Sequence, residues 1–187
     1  MNPFLSREWV HEHSEQIGND VQSSRVAVHR LMRDNRRLAK FVEQNGAQFE
    51  GANAQVCHWL VGVVARLFEV AGGRMKAATW EHVNAASERV AARVPTLLPI
   101  DDGFVARARA ADRRQPHILD EALYALFERD EKDKEMPVGP TEAVKIYLMM
   151  WVVTEVLDEN WLPPKGFGGE SVYAFTPVSP AADVAQP

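Results

Sequence analysis

Between Pro140 and Trp161 the chain reads PTEAVKIYLMMWVVTEVLDENW, and Ile146–Val153 is apolar without a break. A helix lying on a surface carries one apolar stripe, whereas a helix that is apolar all round is buried. This stretch is therefore predicted as the central helix of an all-α domain. A second near-continuous apolar stretch, Ala54–Ala71, is interrupted only by His58, Arg66 and Glu69 from Val56 onward. It is predicted as the packing partner of the central helix, with Gly72-Gly73 as its C-terminal stop. Arg66 and Glu69 stand three apart and can pair on one face.

The remaining elements follow from spacing and punctuation. Phe4, Leu5, Trp9, His13 and Ile17 give an uneven apolar face, so a helix is predicted from about Pro3 to Gln16, ended by Gly18-Asn19. Asp20 is placed to cap the next helix. From Val21 to Glu43, the positions Val21, Ser24, Val28, Leu31, Asn35, Leu38 and Val42 recur at intervals of three and four. That is a heptad-like seam with polar interruptions at Ser24 and Asn35, closed by Asn45-Gly46. Thr79 caps a predicted helix reaching Val94, where Pro95 stops it. A short helix is expected over Phe104–Asp112. Beyond Pro116, Ile118, Leu119, Ala122, Leu123, Leu126 and Phe127 make a strong helical stripe, and Pro137–Pro140 turns the chain into the central helix.

The expected architecture is a single-domain helical bundle over residues 1–162, of six or seven helices around the buried central one. Residues 163–187 form a Pro/Gly-rich extended C-terminal tail. Val172–Phe175 is the one stretch that suggests extended backbone, and no second strand is evident to pair with it. The length suits one well-buried domain. The first residues, MNPFLSREW, show no basic region followed by an apolar core. The longest apolar run is far short of the ~18 residues that span a bilayer. A cytoplasmic protein without a membrane span is the expectation.

Charge changes the picture at one place. The net charge is −5, which disfavours a general nucleic-acid coat protein. Yet Arg25, Arg30, Arg33, Arg36, Arg37 and Lys40 face a single acid, Asp34, between residues 25 and 40. On a continuous helix at ~100° per residue these cations, with His29, share the half-turn opposite Val21, Leu31, Leu38 and Val42. A basic stripe on an acidic protein suggests an anionic partner: an acidic protein surface, a nucleic-acid backbone or an anionic lipid surface. It can also be a solvated face balanced by the acidic run Glu128–Glu135. Aromatic residues interleaved for base stacking are missing, with Phe41 alone at the edge.

Candidate chemistry is sparse. Glu128/Glu131 and Glu155/Asp158 fit the pattern ExxE…ExxD, which resembles the magnesium site of the all-α MazG-type nucleotide pyrophosphohydrolases. The resemblance covers about thirty residues. It implies four carboxylates between two helices, holding a metal that binds the substrate phosphates. Here Glu155 lies ~22 Å along a helix that begins near Pro140, so the two pairs fall at opposite ends of the hairpin. Glu8 and His11 stand in ExxH spacing, of which di-iron bundles use two; His58, Glu69 or Glu155 are the further ligands available. A surface Glu–His pair and a hydrogen-bonded core histidine account for the same residues. His82 and His117 are expected at helix ends. Cys57, the single cysteine, sits in an apolar run and reads as a buried, inert thiol.

No catalytic residue, metal ligand or cofactor is assigned. The leading expectation is a non-catalytic interaction or assembly subunit, with a protein partner or as a homo-oligomer. Its partner-binding residues are Arg30, Arg33, Arg36, Arg37 and Lys40, with Phe167, Tyr173 and Phe175 of a tail that is unusually aromatic for a disordered segment. The alternatives are a metal-dependent all-α enzyme using Glu and His ligands, of di-metal oxidase or MazG type, and a weak nucleic-acid binder.

Overall fold

The computed structural model describes residues 2–129 and 138–167. Among them are eight α-helices: α1 (Arg7–Asn19), α2 (Val21–Asp34), α3 (Arg36–Gly46), α4 (Gly51–Ala71), α5 (Trp80–Leu97), α6 (Phe104–Ala110), α7 (Pro116–Leu123) and α8 (Pro140–Asn160). A π-helical turn, Tyr124–Glu128, prolongs α7. The fold is all-α, as expected.

Helix α8 is the interior. Every residue from Met149 to Asp158 is buried, which is nearly three turns without an exposed side. Helices α3, α4, α5 and α7 and the π-helical turn pack around it. Its Tyr147 and Trp151 rings lie 5.9 Å apart, and Phe104 of α6 meets Tyr147 edge-on at 6.2 Å. Helix α4 is the second core element, packed on α1, α2, α3 and α8. Among the described helices it is the one long and apolar enough to cross a bilayer, yet 56% of its most apolar window is buried inside the fold. Burial pushes the Cys57 thiol on α4 up to about 11.

Several local predictions hold. Asp20 caps α2 by accepting from the Ser23 amide at 3.0 Å. Thr79 and His82 form a reciprocal capping box at the start of α5. Gly72 ends α4 with a φ of 77°.

Others are corrected. Helix α1 begins at Arg7 rather than Pro3, capped by the Ser6 hydroxyl. Pro3–Leu5 is drawn away because the Leu5 amide donates to the buried Gln115 side chain at 2.9 Å. Pro95 does not stop α5, which runs on to Leu97. Both Pro95 and Ala91 are exposed near the end of the helix, where solvent can reach the carbonyl that proline leaves without a donor. A short antiparallel pairing also exists that the sequence did not suggest: β1 (Arg74–Met75) against β2 (Trp161–Leu162). Gly73 there has a φ of 84°, and a Cβ would lie 2.3 Å from the Leu162 carbonyl oxygen, so only glycine fits.

The largest correction concerns the basic segment. Val21–Glu43 is not one helix: Asn35, at φ −122° and ψ 61°, breaks it into α2 and α3. The Asn35 side chain is buried and accepts the Ala78 amide at 2.9 Å, so it is turned into the core and gives α3 no capping bond. Asn35→Ala leaves that buried amide without an acceptor and should lower the unfolding free energy by about 1–3 kcal/mol. Urea denaturation measures this, and a change below about 0.5 kcal/mol, the level of an indifferent surface substitution, would contradict the role given to Asn35.

Candidate functional site

Two charged regions stand out, and the first grows from the last turns of α8. Glu155, Asp158 and Glu159 are spaced so that they share one helix face. Glu155 and Asp158 are buried, and a buried charge must be paired. Arg89 of α5 donates to Glu155 through Nε and to Glu159 through Nη2, both at 2.8 Å. The Trp151 indole N–H holds the other Glu155 oxygen at 2.9 Å. Arg114, in the connection between α6 and α7, reaches Asp158 at 3.3 Å and Glu159 at 3.1 Å. Acids and arginines thus alternate as a ladder that joins α5, α8 and the α6–α7 connection. Burial opposes the charge on Arg89, but the hydrogen bond and attraction of Glu155 and the nearby Glu159 outweigh it and raise its pKa.

The ladder also anchors the N-terminal segment. Gln115 donates to Asp158 at 2.7 Å and to the Pro3 carbonyl at 3.0 Å. Gln115 adopts a left-handed φ of 46° to do so, immediately before Pro116 opens α7. Asn2 donates to the Asp158 and Trp161 carbonyls at 2.6 and 2.8 Å. An open cleft of about 340 Å³ lies beside the ladder, lined in part by Arg89, Arg93, Asp112, Arg113, Arg114 and Glu155.

The second region is the basic segment, divided by the break at Asn35. On α2, Arg30 pairs with Glu69 of α4, which Arg66 also holds at 2.7 Å. Arg33 pairs with its neighbour Asp34 at 2.7 Å, and that hydrogen bond raises the pKa of the one and lowers that of the other. On α3, Lys40 pairs with Glu43 at 3.1 Å. The Arg37 guanidinium lies 5.5 Å from the ring centroid of Trp80, a residue 41% exposed at the start of α5. Arg36 is exposed and makes no hydrogen bond or ion pair among the described residues. The break therefore separates Arg30 and Arg33 from Arg36, Arg37 and Lys40, which adjoin Trp80.

The other sequence candidates scatter. Phe167 packs edge-on against Trp161 at 5.1 Å, so it is held by its own domain. Tyr173, Phe175 and the extended stretch Val172–Phe175 lie outside the described residues, as do Glu131 and most of the acidic run Glu128–Glu135. Glu128 itself pairs with Arg109 of α6 rather than with the basic segment, and this bond raises the Arg109 pKa. His11 meets Glu121 of α7 at 3.1 Å, while Glu8 is exposed. His58 is exposed, not a core residue, and bonds the Ala54 carbonyl within its own helix. No group of three or more His, Cys, Asp or Glu side chains placed to hold a metal ion occurs among the described residues.

Arg89, Arg113, Arg114 and Gln115 had not been singled out from the sequence. A signal for them exists: acids at positions 155, 158 and 159 of a helix buried all round demand cations from elsewhere. In comparisons with known proteins the chain matches no family model, no curated sequence and no solved structure. Fold and site therefore define it only as an all-α protein with a charged ladder at the end of its central helix.

The Asp158 side chain is 1% exposed. Asp158→Ala leaves one buried N–H of the Gln115 side chain unmade and removes one partner of Arg114, and should destabilise by at least about 2 kcal/mol. Arg93→Ala, at a half-exposed side chain outside the ladder, should stay within about 0.5 kcal/mol of the wild type. Equal effects in parallel denaturant titrations would show that the ladder holds nothing together.

Proposed function

We propose that this protein is a non-catalytic interaction or assembly subunit, working as a homo-oligomer or within a larger complex. It engages an acidic protein surface through α3 and the adjoining start of α5. The observation that carries this reading is the state of the α3 cations. Arg36 has no partner among the described residues, and Arg37 is held over Trp80 without being neutralised. An arginine stacked on an aromatic face keeps its charge and its in-plane donors for a carboxylate. Trp80 adds exposed apolar area beside them, and tryptophan and arginine are the residue types most often found to dominate binding at protein interfaces.

Arg30 and Arg33 belong to the rim of this surface, since each already has an acidic partner. A rim charge acts mainly on the rate of encounter and its salt dependence, whereas a central anchor acts on the lifetime of the complex. The tail, with Tyr173 and Phe175, is proposed as a further contact with the partner. The protein is read as acting in the cytoplasm.

The test is charge reversal. Partners recovered with the wild-type protein from its native host should be lost with Arg36→Glu/Arg37→Glu, and held at least about tenfold more weakly by Trp80→Ala, a loss of about 1.4 kcal/mol. Arg33→Glu should mainly slow association and blunt the effect of salt. Circular dichroism confirms that the variants are folded. Undiminished recovery of the same partners by the double reversal would overturn the assignment.

A further inference from the structure

The arginine-lined cleft beside the ladder is separate from the α3 surface, and its chemistry is different. Arg89 and Arg93 line it from α5, and Arg113 and Arg114 from the α6–α7 connection, with Asp112 and Glu155 as the acids among the described lining residues. We propose that this cleft is a binding site for a small phosphate-bearing anion.

Three features support the assignment. First, two of the guanidinium groups are fixed in advance. Glu155 and Glu159 hold Arg89, and Asp158 and Glu159 hold Arg114, so neither arginine must be ordered when a ligand arrives. Donors positioned beforehand lose little entropy on binding.

Second, Arg113 is sealed in the protein with its side chain 2% exposed. Its Nη2 donates to Asp120 and to the Arg109 carbonyl, both at 3.0 Å, and its Nη1 makes only a long 3.4 Å contact to the Tyr147 hydroxyl. Its Nε, in a residue that lines the cleft, is buried and has no hydrogen-bond partner among the described residues. A buried donor on a charged group is rarely left unmade. Thr154 Oγ1 and His117 Nδ1 also lack hydrogen-bond partners among the described residues, but neither residue lines the cleft.

Third, Arg93 is weakly engaged. Its side chain is 49% exposed, and its ion pair is a 3.7 Å contact to an Asp112 that is itself almost wholly in solvent. Such an exposed pair exchanges easily for a stronger one. Arg93 is thus the side chain free to close on a ligand at the mouth of the cleft.

The ligand class follows from the donors. Guanidinium forks match carboxylate and phosphate oxygens in pairs. Arginines that approach from two separate elements suit a tetrahedral anion with several oxygens better than one planar carboxylate. The carboxylates behind Arg89 and Arg114 offset part of their charge, so the anion is held by paired hydrogen bonds to fixed donors as much as by net attraction. The cleft, at about 340 Å³, lies at the small end of ligand pockets, which suits a pyrophosphate or a compact phosphate ester rather than a large cofactor.

The experiment uses the full chain and inorganic pyrophosphate, followed by calorimetric titration and thermal melting against sodium chloride of equal ionic strength. Saturable binding and a raised melting midpoint are expected for the wild type. Arg93→Ala, which removes an exposed side chain and should fold, is expected to weaken binding at least tenfold. Arg36→Glu/Arg37→Glu is expected to bind pyrophosphate as the wild type does, which separates this site from the α3 surface. Citrate at the same ionic strength distinguishes a phosphate site from a general polyanion site. No effect beyond that of chloride, an undiminished effect in Arg93→Ala, loss of binding in the α3 double variant, or equal response to citrate would each overturn the proposal.

Discussion

A carboxylate sealed inside a protein must be matched by a cation or by hydrogen-bond donors, because desolvation otherwise makes its charge prohibitively unfavourable. Glu155 and Asp158 impose that condition at the last turns of α8. Arg89, Arg114, Gln115 and the Trp151 indole satisfy it, and the first three belong to segments whose positions are thereby constrained. The left-handed backbone at Gln115 and the non-helical run at Pro3–Leu5 both accompany it. Apolar burial around α8 is non-directional and sets how tightly the helices gather. The ladder supplies direction: it specifies which turn of α5 and which connection meet the end of α8.

The same constraint shapes the surfaces. Arginines recruited to neutralise the ladder converge beside it and line a cleft in which Arg89 and Arg114 are held in place by their acids. On the opposite line of descent, the Asn35 side chain is needed inside to receive the Ala78 amide, and so the basic segment bends there. That bend delivers the start of α3 to the start of α5, where Arg37 meets Trp80. Neither arrangement resembles a catalytic constellation. Both are places where cationic groups are held without being wholly neutralised, and recognition of anions needs no more than that.

What could be read from the sequence was what periodicity and punctuation encode. The run Ile146–Val153 announced a helix buried on all sides, and Thr79, Asp20 and Gly72 announced where helices begin and end. The break at Asn35 was not legible, because the spacing of three and four carries on across one residue that leaves helical angles. The short pairing of Arg74–Met75 with Trp161–Leu162 was hidden for another reason: two-residue strands carry no alternation to detect. The ladder lay half in view. Its acids were noticed as a possible metal motif, while their true partners are 44 and 66 positions away and could only be found by asking what a buried acid requires. The run of basic residues is plain in the sequence, but its division between two helices is not, since that depends on a side chain bonding across the fold.

Whether α8 is the element on which everything else is assembled can be measured by native-state hydrogen exchange. Amides of a helix that is buried on every side open only when the whole molecule unfolds. The account predicts that amides from Met149 to Leu157 exchange slowest, with an opening free energy equal to that of global unfolding from denaturant titration. It predicts faster, local opening for α1 and α6. Exchange in Met149–Leu157 as fast as that in α1 would contradict it.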